Sequence, residues 1–289
     1  MLWFNMAVLS GFFAATADLV AKRSFGQLGW VEMALARAGY VAPFFVLGLF
    51  LVDWSRLTPL VWLCLAVALP LEVAALMLYN QAIFYSPLSL TVPFLSFTPV
   101  FALLTGWLIL GEGVSPAGGL GVCLVVAGCY LLNLRRLRSG GWLAPIKAVG
   151  REPGSWRMLV TSAIYSITSV VGKLGFETMG PINFLIFYFA LFYLIMAPFL
   201  VVVFKPSYRV VLHRPGPGLA IGGLVVGSLV CHALGITLIE AAYLVAAKRV
   251  HILFGAAYGL IFFKEGLPLQ RLLGAGLALA GVVVLAVLA

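Results

Sequence analysis

The chain has 289 residues, 63% of them hydrophobic and 9% charged, with a formal net charge of +9. Soluble domains carry about 25% charged residues; this composition and a mean hydropathy of +1.13 exclude that class and predict an all-α integral membrane protein. Nucleic acid is not an expected partner, because the cations gather between apolar runs, where they set orientation in the bilayer.

A spanning helix needs about 20 residues. Runs of that kind at 2–21, 30–51, 59–85, 88–110, 116–134, 157–176, 181–204, 217–239, 242–263 and 268–289 predict ten transmembrane helices. The first lacks a basic leader and a small-residue cleavage site, and reads as a retained helix. The third carries Pro70, where a tilt or kink is expected. Breaks between runs hold Pro, Gly or charge, as in "VDWSRLTP", "GEGVSP", "KPSYRVVLHRPGPG" and "KEGLP". Cys64, Cys123, Cys129 and Cys231 lie in apolar runs without CxxC spacing and are expected as buried thiols. His213, His232 and His251 lack ligand spacing, so neither a metal nor any other cofactor is expected.

The chain repeats itself. "FTPVFALLTGWLILGEGVSPAGGLGVCLVVAGCYLL" from Phe97 aligns without gaps on "VHILFGAAYGLIFFKEGLPLQRLLGAGLALAGVVVL" from Val250. Phe101 then meets Phe254, Gly106 meets Gly259, Glu112 meets Glu265 and Gly128 meets Gly281. "ADLVAKRSF" from Ala17 resembles "TSVVGKLGF" from Thr168, pairing Lys22 with Lys173. Five spans per half is an odd number, so the second half enters the membrane inverted. The fold expected is two inverted five-helix repeats around a central cavity, the arrangement of many alternating-access carriers. The repeats are 1–134 and 157–289, joined by a basic linker at 135–156. Lys22, Arg23, Arg135, Arg136, Arg138, Lys205 and Arg209 fall on one face and Arg56 on the other. The positive-inside rule therefore places both termini outside. The linker's cations serve as an orientation signal, with contact to lipid headgroups as the alternative.

Lys248 and Arg249 interrupt an apolar run. A charge at membrane depth costs at least about 2.5–3.5 kcal/mol, which a lipid-facing position does not repay. The pair is expected to line a cavity or meet an anion; an ion pair with Glu240 is the alternative. Glu112 and Glu265, at turn-to-helix junctions, are expected to cap the next helix.

The halves resemble the EamA module of the drug/metabolite transporter superfamily, most closely at "PVFALLTGWLILGEG" and "GAAYGLIFFKEG" and in "LVAKRSF" followed by "LARAGYVAPFF". "AKRVHILFGAAYGLIFF" and "SITSVVGKLGF" are similar to helices nine and six of the triose-phosphate/phosphate translocators of that superfamily. The resemblance implies that Lys248 and Arg249 grip a phosphate group and that Lys173 completes the site. A tyrosine expected in helix eight has no match, His232 being the nearest polar residue.

Helix direction places Lys173 and the Lys248–Arg249 pair at similar depth. An ion pair of Lys173 with Glu177, or snorkelling, is the alternative. Arg offers a planar fork and Lys a point charge, a set suited to phosphate or carboxylate. His251 shares a helix face with Lys248. Tyr79 corresponds to His232, and Ser96, bracketed by Pro93 and Pro99, to Arg249, so both are expected at the cavity. Lys22 and Arg37 are candidates for an inner gate; Glu72 is a candidate for pairing with Arg37 or for carrying a coupling proton. No nucleophile–base set or phosphate-cradling loop points to an enzyme. The reading is a secondary transporter of small organic anions, phosphorylated ones among them, in a bacterial or archaeal cytoplasmic membrane, as a monomer or homodimer among membrane lipids. Export of amino acids or amphiphilic solutes is the first alternative, and translocation of lipid-linked sugars the second.

Overall fold

The computed structural model describes residues 1–25, 27–85, 94–95, 97–113, 115–133, 153–207, 209, 213–251, 253–254, 257–258 and 269–288. Ser96, Glu265 and most of the linker lie outside this set, as do the side chains of Lys22 and Cys129. Among the described residues there are ten α-helices: α1 (Leu2–Phe25), α2 (Trp30–Gly48), α3 (Pro59–Tyr85), α4 (Thr98–Leu110), α5 (Pro116–Asn133), α6 (Pro153–Met179), α7 (Pro181–Phe204), α8 (Pro215–Ile236), α9 (Ala241–Lys248) and α10 (Leu269–Leu288). Five start on proline, whose missing N–H costs nothing in a first turn. The proline signal also moves the start of α6 from 157 to Pro153.

Six helices are long and apolar enough to cross a membrane, and α4, α5 and α10 contain shorter apolar stretches. Leu63, Leu104, Trp107 and Val202 stay exposed on the bundle's outside, a surface suited to lipid. This is a multi-pass membrane protein.

Helix packing follows an inverted repeat. When each helix is exchanged for the one five places away, the pairings reproduce themselves. Helix α1 packs on α8 as α6 packs on α3, and α4 packs on α6 as α9 packs on α1. Helices α2 and α7, α4 and α9, and α5 and α10 pair across the halves with their own counterparts. The α2–α7 contact is aromatic: Phe45 lies 5.4 Å from Phe189 and 6.1 Å from Tyr193 between ring centroids. Helices α5 and α10 meet almost backbone to backbone. A Cβ added at Gly128 would lie 2.2 Å from Ala278 N, and one at Gly281 would lie 2.5 Å from Val125 N. Small residues permit such approach where no hydrophobic effect drives association.

Cys64 is buried, but Cys123 is exposed on the apolar surface of α5. A thiol facing hydrocarbon meets the same demand for apolarity as one in a core.

Candidate functional site: a central cavity with unequal halves

A cavity of about 280 Å³ opens among the helices, walled by every helix except α5 and α10. It sits at the small end of the roughly 300–1,000 Å³ range of ligand pockets. In the register that aligns Phe101 with Phe254, Glu72, Leu76 and Tyr79 of α3 correspond to Val225, Leu229 and His232 of α8. Leu95 and Thr98 correspond to Lys248 and His251, and all of these residues line the cavity. In the register that pairs Lys22 with Lys173, Ala17 and Asp18 correspond to Thr168 and Ser169, which also line it.

The positions are symmetric and the chemistry is not. The first half contributes the acids, Asp18 and Glu72, together with Arg37. The second half contributes Lys248, Arg249, His232 and His251.

The Lys248–Arg249 pair sits where α9 breaks. Arg249 N donates to Ala246 O at 3.0 Å and Val250 N to Ala247 O at 3.1 Å, both over three residues. His251 Nδ1 donates to Lys248 O at 3.2 Å. The first half breaks at the matching place. Phe97 N donates to Phe94 O at 3.2 Å, and Thr98 Oγ1 donates to Leu95 O at 2.7 Å. Irregular backbone at membrane depth is tolerated where it lines a cavity, and broken helices of this kind are where carriers hold ligands. The expected span at 242–263 is therefore interrupted rather than continuous: α9 stops at Lys248, Arg249 and Val250 form a turn, and the chain is helical again at His251, Leu253 and Phe254.

Arg249 is 9% exposed. Tyr79 lies within electrostatic reach of Arg249 and of the Asp18–Arg37 pair. His232 lies within reach of both Lys248 and Arg249, and its Nδ1 is buried with no hydrogen-bond partner among the described residues. Glu72 lies beside the hydroxyls of Thr168 and Tyr188 and within reach of Lys248. Arg37 does not pair with Glu72; its Nη2 meets Asp18 Oδ1 at 2.5 Å. Among the described residues the cavity wall thus holds two acids, Asp18 and Glu72. Asp18 is the residue that sequence reasoning missed, although an acid inside an apolar span was the signal to follow.

Lys173 does not join Lys248 and Arg249. It lies outside the cavity lining, with Nζ 2.5 Å from Glu112 Oε1 and 2.8 Å from Ile239 O. Glu177 is a looser partner at 3.9 Å. Glu112 does cap a helix, but that helix is α9 rather than the adjacent α5: Ala241 N donates to Glu112 Oε2 at 3.2 Å. Two glycines make this junction possible. Gly111 turns the chain with φ 67° at the end of α4. Gly106 leaves room for the carboxylate, since a Cβ there would lie 2.7 Å from Glu112 Oε2. Nearby, Ser115 N donates to Tyr243 Oη at 3.0 Å. The α4–α5 turn of the first half is thereby latched to α6 and α9 of the second. Glu240 makes no ion pair among the described residues.

The family comparison bears on the first half of the chain. Residues 1–134 match the model of the EamA-like transporter family. That family is one of small-solute transporters, of the drug/metabolite type that the sequence resembles. One solved crystal structure, described simply as that of a protein, superposes with a TM-score of 0.70 over 98% of this chain and 96% of the other, at 18% identity. That likeness shows the fold, and it extends through the second half. No curated protein matches the chain.

Proposed function

We propose that the protein moves a small organic anion by alternating access, with residues 157–289 acting as a second, inverted EamA-like repeat. Lys248 and Arg249 hold the anionic group. His232, His251 and Tyr79 supply neutral hydrogen bonds around it, and phosphate esters are the first class to test. The reading is carried by one observation: two adjacent cations occupy the broken turn of α9 in the cavity wall, where the first half has Leu95 and Ser96.

The Glu112–Lys173 latch is the closed gate at one end, which the positive-inside rule places outside. Lys22, near the last turn of α1, belongs to the opposite end, while Arg37 lines the cavity itself. Substrate enters from the side away from the latch, and rocking of the halves exchanges the open ends.

The test is uptake and counterflow in proteoliposomes with glycerol 3-phosphate, inorganic phosphate and malate. Lys248→Ala and Arg249→Ala are expected to lower transport at least about tenfold, the equivalent of losing one charge-assisted bond of about 1.5–3 kcal/mol. Unchanged transport in both variants sinks the anion site.

A further inference from the structure

We propose that Glu72 is a proton site in the same cavity, taking up one proton for each anion received by Lys248 and Arg249. The inference rests on the anion reading above and adds a co-substrate to it. Glu72 projects from α3 into the cavity lining. Among the described residues it belongs to no ion pair. Three sets of groups face it or pack beside it. Helix α6 brings Thr168 and Tyr165, α7 brings Tyr188 and Tyr193, and α9 brings Lys248. Helix α2 contributes Arg37 to the same cavity, where it is already held by Asp18.

The acid belongs to one half only: its counterpart in the inverted half is Val225, which lines the same cavity without a charge.

Lys248 is the cation within reach of Glu72, and it is also half of the proposed anion grip. An arriving anion therefore shares Lys248 with a second negative charge inside a low-dielectric cavity, and the two repel. Adding a proton to one carboxylate oxygen of Glu72 forms an O–H bond and removes that repulsion. The neutral carboxyl then has a hydrogen to donate, and the neighbouring hydroxyl oxygens accept. The proton comes from water on the side to which the cavity is open. It leaves to water on the other side after the anion departs, when Lys248 again favours the ionised form. Anion and proton cross together, and no other bond changes.

The experiment compares two readouts in the same proteoliposomes, loaded and supplied with glycerol 3-phosphate or malate. Counterflow exchange reports the anion site, while accumulation driven by an inward proton gradient reports coupling. With one proton per anion and the membrane potential clamped at zero, accumulation approaches about tenfold per pH unit of gradient. Wild type is expected to show both activities. Glu72→Gln and Glu72→Val, the latter copying position 225, are expected to keep exchange and to lose gradient-driven accumulation, with a ratio near one. Accumulation that persists in these variants overturns the proposal, as does wild-type accumulation indifferent to the gradient. Loss of exchange along with accumulation also overturns it, because the carboxylate would then be holding substrate. A wild-type protein that moves no anion defeats the anion reading itself, which is a separate and recognisable result.

Discussion

Removing the ammonium of Lys173 while keeping its length, as in Lys173→Met, tests the latch. The side chains of Lys173 and Glu112 are 10% and 12% exposed, so the pair is buried rather than a screened surface contact. Leaving one member of a buried pair behind costs about 3–5 kcal/mol. Part of that is retained here, because Ala241 N still donates to Glu112 at 3.2 Å and the positive end of α9 favours a carboxylate by about 0.3–1 kcal/mol. The expected loss is about 2–4 kcal/mol, which corresponds to a fall in Tm of about 5–10 °C for a chain of this size. Adding Glu112→Gln to Lys173→Met removes the stranded charge and is expected to recover about 1–2 kcal/mol. The assay is intrinsic-fluorescence unfolding of the detergent-purified protein, together with anion affinity measured in the same samples. A Tm within about 1 °C of wild type, or a double variant less stable than the single one, would refute the reasoning. A tenfold loss of anion affinity in Lys173→Met would return Lys173 to the binding site.

Three further outcomes are expected. Gly118→Ala places a Cβ 2.1 Å from Tyr243 Oη, which forces the Tyr243–Ser115 contact apart and should lower Tm and raise cavity labelling from the latched end. Gly128→Leu cannot be absorbed by side-chain motion, because the obstacle is the Ala278 backbone at 2.2 Å; a loss of about 3 kcal/mol or more, or no folded yield on size exclusion, is expected. Between α2 and α3, the Ser55 hydroxyl, then the Ser55 N–H and Arg56, hold the Asp53 carboxyl below the usual carboxylate range. The folded value lies below the unfolded one, so this contribution is present above the unfolded value and is lost as pH falls through the folded one. Wild type and Asp53→Asn should therefore differ by a constant amount from about pH 5 to 8 and converge in stronger acid, as read by carboxyl NMR titration and proteolysis of the loop.

Much of the fold was legible because membrane spans announce themselves. Backbone groups in hydrocarbon must be satisfied within each helix, so length and apolarity alone locate the spans, and Pro59, Pro116, Pro181 and Pro215 mark starts. The gapless repeat carried the inverted architecture. The cost of charge at depth pointed to Lys248 and Arg249 as cavity residues before any packing was known, and the register carried Tyr79 and His232 with them.

Partner choice was not legible. Sequence and helix direction give only an approximate height along the membrane normal, and height put Lys173 level with Lys248 and Arg249, whereas its contacts lie at the start of α9, the end away from that pair. Sequence alone does not give the direction in which the side chain points around its helix relative to other helices. That direction depends on which half packs where. It turned Lys173 away from the cavity toward Glu112, more than 60 residues earlier in the chain, and gave Arg37 to Asp18 rather than to Glu72. The break at Lys248 escaped for a related reason: the apolar run continues through it, and only the opposed breaks of α4 and α9 across one cavity show why the helix stops there. The sequence by itself determined the membrane class, the spans, the repeat and the position of the paired cations. The tertiary structure alone decided which charges neutralise each other, because electrostatic pairing falls off over a few ångströms and those distances exist only once the two halves are packed.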